Sequence, residues 1–165
     1  MTLRLAKISL LFAVALFYFV ITFNNVTDYD SDYQFVRHVL MMDTTFPGNH
    51  GMWRAINAPA VHTAFYLLII AWEALSTVLC FAGGVKLASA LRDTAAAFNA
   101  AKRLAIIALT VSLLQWLLAF LIVGGEWFLM WQSRTWNGQD AAIRMLIVIG
   151  FALLLLAQPD MEEQP

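Results

Sequence analysis

The amino-acid sequence predicts an all-α membrane protein, a four-transmembrane-helix bundle with a short amphipathic helix in the first extracytoplasmic loop. Composition is the first reason. Of 165 residues 61% are hydrophobic and only 13% charged, and the mean hydropathy of +0.72 exceeds what a soluble domain of this length shows. Spacing is the second, because apolar runs at 5–23, 60–87, 104–123 and 141–157 each approach the roughly 20 residues that cross a hydrocarbon core. The third is the solvent itself. Lipid offers no partner to a backbone amide, so each run must close its own hydrogen bonds as a helix. Residues 1–165 read as one integral membrane domain.

The first run opens on "MTLRLAK", a basic start that a secretory signal would share. The "VITFNN" that follows lacks a small-x-small cleavage site, so an uncleaved first span is expected. The segment 24–58 holds most of the chain's polar character. Within it "SDYQFVRHVLMMD" places Phe35, Val36, Val39, Leu40 and Met42 mostly on one helical side, with Asp32 expected to cap the start. "TTFPGNHG" supplies the breakers that end this helix. Asn57 is then expected to cap the second span, with Pro59 in its first turn, where a missing amide hydrogen costs little.

The second span carries one acid, Glu73. At 100° per residue, His62, Tyr66, Thr77, Cys80 and Gly84 fall within about 40° of it, a polar stripe that should face other helices rather than lipid. Gln115 in the third span stands about as far from Arg103 as Glu73 does from Lys86, so the two side chains are expected to hydrogen-bond at one depth, near the bilayer centre. Arg144, a turn inside the fourth span, is expected to pair with Glu126 or Asp140, on the reasoning that Glu73 lies several turns deeper. Trp53, Trp127, Trp131 and Trp136 fit an aromatic belt at the outer boundary, and Trp72 and Trp116 should pack near Glu73 and Gln115. The paired glycines Gly83–Gly84 and Gly124–Gly125 would permit close helix approach or a bend.

Basic residues set the orientation. Arg4, Lys7, Lys86, Arg92, Lys102 and Arg103 fall on one side, against Arg37, Arg54, Arg134 and Arg144 on the other, which favours both termini inside. A net charge of −1 leaves no basic patch for nucleic acid. The single Cys80 excludes an intrachain disulfide or a cysteine zinc site. "DYDSDY" repeats the alternating acids of a calcium loop, but Tyr33 replaces the turn glycine and Val39 the closing glutamate, so no metal is expected. His38, His50 and His62 share no ligand face, and no cofactor is expected. No serine-nucleophile, phosphate-loop or zinc motif points to an enzyme.

"DYDSDYQFVRHVLMMDTTFPG", then "WRAI", "WEA" and "GGVKL" together resemble a family of predicted small bacterial integral membrane proteins of unknown function. The resemblance covers nearly the whole chain and implies four membrane helices in the bacterial inner membrane, with no established catalytic residues. In general kind the chain is also similar to polytopic immunity proteins that protect a bacterium from type VI secretion toxins. A toxin arriving from outside is best met by a membrane-resident binder. Its surface would come from 24–58 and 124–140, with Asp28, Asp30, Asp32, Asp43, Arg37 and Arg54 presented outward. The expected partners are membrane lipid and another protein, either a toxin or a larger membrane complex. Two alternatives stand beside immunity: an accessory subunit of a respiratory or transport complex, and a small proton or cation pathway built on Glu73, Gln115, Tyr66, Thr77 and His62.

Overall fold

The computed structural model describes residues 1–161. Five α-helices follow in order: α1 (Thr2–Thr27), α2 (Tyr29–Met41), α3 (Pro59–Ser89), α4 (Ala95–Leu114) and α5 (Gln139–Ala157), with no strand among the described residues. A π-helix, Gln115–Trp127, continues α4 without a break, and 3₁₀ turns at His50–Arg54 and Met130–Gln132 shape the outer connections. Four helical stretches are long and apolar enough to cross a membrane: Thr2–Thr27, Pro59–Ser89, Ala95–Trp127 and Gln139–Ala157. All four expected spans are present, and each helix outruns its apolar run at one end or both, because hydrogen bonding continues where lipid contact stops.

Three local expectations are corrected. Asn24 and Asn25 belong to the last turns of α1 rather than to a loop. Asp32 lies inside the first turn of α2, whose cap position is Asp28. The position before α3 is Ala58 instead of Asn57, while Pro59 does take the first helical place, where its fixed φ suits the helix and no amide bond is forfeited.

Packing follows small residues. α1 lies along α3, α3 along α4, and α4 along α5, around a core that includes Leu11, Tyr18, Leu87, Phe98, Leu109 and Ile149. A Cβ built on Gly83 would stand 3.0 Å from the Ala105 Cα, so the α3 and α4 backbones approach there as only glycine permits. α2 folds back over the N-terminal end of α3, burying Val36, Val39, Leu40 and Met42 with Tyr66, Phe128 and Met130. It is a lid rather than a free surface helix.

The opposite end is tied by charge. Lys7 Nζ donates to Asp160 Oδ2 at 2.6 Å and to the Gln158 carbonyl at 2.8 Å. Lys102 pairs with the same carboxylate and donates to Gln158 O and Asn99 Oδ1. Both lysines are almost wholly buried. Arg4 Nη1 donates to the Asp93 carbonyl at 2.7 Å and to Leu91 O at 3.0 Å. The start of α1, the α3–α4 turn and the chain after α5 therefore meet on one side of the bundle, opposite the α2 lid. Three of the six basic residues expected at this side, Arg4, Lys7 and Lys102, are ion-pair partners of Asp160.

The clasp also sets depth. Lys102 and Gln158 are bonded, and the rises from Lys102 to Gln115 and from Gln158 back to Arg144 are both about 20 Å. Arg144 therefore sits level with the Gln115–Glu73 layer, not several turns above it. Glu73 stands midway along Pro59–Ser89, whereas Asn25 and Arg144, level with it, stand near one end of α1 and of α5. Arg144 is exposed on α5 and makes no ion pair with Glu126 or Asp140. Its stem is long enough to carry the guanidinium outward instead.

Candidate functional site

Glu73 is 3% exposed and takes two side-chain amides. Asn25 Nδ2 donates to Oε2 at 2.7 Å and Gln115 Nε2 to Oε1 at 3.3 Å. Three helices converge here because each places a polar residue on its inward face: the last turn of α1, the middle of α3 and the first residue of the π-helix. Gln115 and Trp116, adjacent at the start of the π-helix, are both buried. Trp116 Nε1 donates to the Tyr18 hydroxyl at 2.9 Å, which donates to the Ser112 carbonyl at 2.7 Å.

Of the expected polar stripe, Glu73 and Gln115 meet directly, and Tyr66 joins through Asn25, donating to its carbonyl at 3.2 Å. Thr77 turns back to the Glu73 carbonyl oxygen at 2.9 Å and does not reach the carboxyl. His62 bonds the Ile56 carbonyl at 2.8 Å, pinning the chain that leads into α3. Trp116 packs beside Gln115 as expected, whereas Trp72 reaches the Val111 carbonyl at 3.0 Å. The residues that sequence reasoning missed are Asn25, Tyr18 and Trp116's hydroxyl partnership. Asn25 carried a readable signal, a buried-face asparagine at the end of an apolar run, but a hydropathy window assigns it to the loop.

Above this layer sits the cap. Asp28, Asp30, Asp32 and Asp43 are all exposed. Asp28 accepts from Ser31 Oγ at 2.8 Å and Asp30 from Gln34 Nε2 at 3.1 Å. Partial burial first, and Asp28 next, raise Asp32 above the ordinary carboxylate range. His38 Nδ1 lies 2.7 Å from Asp43 Oδ2, and its ring stacks on Trp136 with centroids 4.7 Å apart. Arg37 is occupied by Gln34 at 3.2 Å. Arg54 is not a free surface cation. It donates to the Trp127 carbonyl at 3.1 Å and lies over the Trp53 and Trp127 rings at 5.3 and 5.1 Å, locking the connection before α3 to the one before α5. Trp53, Trp127 and Trp131 are exposed around it, the placement a headgroup belt requires.

A profile of the family described as "Predicted small integral membrane protein (DUF2165)" matches residues 3–159. The chain belongs to that family. No match is found among curated proteins or among solved structures. In this DUF2165 protein the described residues contain no group of three or more His, Cys, Asp or Glu able to hold a metal ion. What remains chemically is a buried carboxyl held by two amides, and an exposed face at the α2 end carrying acids and aromatic rings.

Proposed function

We propose that this protein works by binding another protein at its outer cap, without catalysis, and that in its most concrete form it is a bacterial inner-membrane immunity protein that neutralises a membrane-active, pore-forming toxin of type VI secretion. The observation that supports the reading is the cap's construction. Val36, Val39 and Leu40 anchor α2 on the bundle, so Asp28, Asp30 and Asp32 stand on a fixed frame, with Phe46, Trp53 and Trp131 exposed at the membrane edge. A preformed acidic face steers a basic partner at little ordering cost, and apolar rings at its border suit a partner that is itself entering lipid.

Deleting the gene in a strain that keeps its secretion system should make cells lose membrane potential when mixed with their parent on a surface. Replacing Asp28, Asp30 and Asp32 together by asparagine should weaken protection in a salt-dependent way, since exposed charges are screened. Equal competition by the deletion strain defeats the immunity reading and transfers the cap to a subunit of a larger respiratory or transport complex.

A further inference from the structure

We infer that Glu73, Asn25 and Gln115 form a one-sided proton-binding site, exchanging a single proton with the outer face and closed toward the inner face. This is independent of what docks on the cap. Three observations converge on it: the site's unused atoms, its place in the bundle, and the packing beneath it.

Each amide uses its nitrogen on the carboxyl while its oxygen, Asn25 Oδ1 or Gln115 Oε1, is buried without a hydrogen-bond partner. Buried acceptors are rarely left so. With both nitrogens donating, the arrangement suits an ionised carboxylate. Turned over about its terminal bond, the Asn25 amide has the same shape and presents Oδ1 to a protonated Oε2–H. The 2.7 Å separation also fits an O–H···O bond. One amide rotation thus serves both charge states. In the step itself, a hydronium ion arriving from the outer side gives one proton to Oε2 and leaves as water, the carboxylate becomes a carboxyl, and the new O–H donates to Asn25 Oδ1. Release reverses each bond change.

Location supplies the direction. Asn25 is two residues from the end of α1, about 4.5 Å of rise from the exposed Asp28. The titratable groups that interact with Glu73 are Asp32 on the cap, Tyr66 on α3 and Tyr18 on α1, and Arg144 on α5, level with the layer, is exposed. The one acid among them lies on the outer side. Toward the inner face, Cys80, Leu87, Phe98, Ala105 and Leu109 are essentially inaccessible, and about 20 Å of this packing separates Gln115 from the Lys102 clasp. Buried polar side chains continue below the layer only as far as Ser76, Ser112 and Cys80; beyond them Leu87, Phe98, Ala105 and Leu109 give a continuous relay to the clasp no polar group to use.

The test combines infrared difference spectroscopy of the full-length protein in lipid, titrated from acid to alkaline pH, with proton flux into vesicles holding it. The expected result is a carboxyl C=O band that titrates, disappears in Glu73→Gln and shifts toward a non-hydrogen-bonded position in Asn25→Ala. Vesicle flux should match that of Glu73→Gln. A flux that Glu73→Gln abolishes overturns the one-sided site in favour of a pathway. Absence of a Glu73-dependent titrating band, or a band that responds to sodium replacing choline and not to pH, overturns proton binding.

Discussion

Asp160→Asn keeps the shape of the clasp while removing its negative charge, leaving Lys7 and Lys102 buried side by side. Their exposures are 2% and 3%, so neither ammonium can be rehydrated without opening the structure. Removing one partner of a buried ion pair costs about 3–5 kcal/mol. Both lysines retain the Gln158 carbonyl, and Lys102 also retains Asn99 Oδ1, which places the expected loss near the low end, about 3 kcal/mol. At roughly 2–4 °C per kcal/mol for a chain of this size, the unfolding midpoint should fall by about 6–12 °C. Thermal unfolding in detergent, read by intrinsic fluorescence, measures it. Adding Lys7→Met should recover part of the loss by removing one stranded charge. If Asp160→Asn unfolds within about 0.5 kcal/mol of the parent, or if Lys7→Met adds its own full penalty, the clasp does not hold the bundle as described.

Other outcomes follow from the same contacts. Burial works to raise Asp160, but Lys102 and Lys7 outweigh it and hold the carboxyl below its ordinary value. Its contribution is therefore whole above the ordinary carboxylate value and is lost as pH falls through the lowered one; an acid titration of the midpoint should show a sigmoidal loss that Asp160→Asn lacks. Gly83→Val should separate α3 from α4, because its Cβ meets backbone at 3.0 Å, and should cost about 1–3 kcal/mol in the same unfolding assay. Glu73→Ala should lose less than about 2 kcal/mol, since membrane hydrogen bonds are individually weak; a larger loss would mean the carboxyl organises more than its two amides.

The legible part of this protein was the part lipid dictates. Twenty-residue apolar runs have one solution, so four spans and the lid followed from hydropathy and helical spacing. The Glu73–Gln115 contact was legible too, because equal distances from two basic residues of one hairpin set a common depth. Asn25 was not, since a hydropathy window ends a helix where polarity begins, whereas α1 continues to Thr27. The same blindness set Arg144 above the Glu73 layer: relative depth between α3 and α5 depends on where each helix is tied, and that tie is an aspartate after α5, one helix on from Lys102 and at the opposite end of the chain from Lys7. The π-helix left no composition signal at all.

Sidedness is the most direct test of the whole account, because the clasp, the lid and the one-sided site all depend on it. Single cysteines at Ser31, on the exposed start of α2, and at Arg92, in the exposed α3–α4 turn, should be probed in intact cells with a membrane-impermeant thiol reagent. The native Cys80 is fully buried and should stay silent. The account predicts labelling at Ser31 alone until the membrane is permeabilised, after which Arg92 reacts as well. Labelling of both positions in intact cells would contradict the four-span bundle, and labelling of Arg92 alone would turn the acidic cap and its carboxyl toward the cytoplasm.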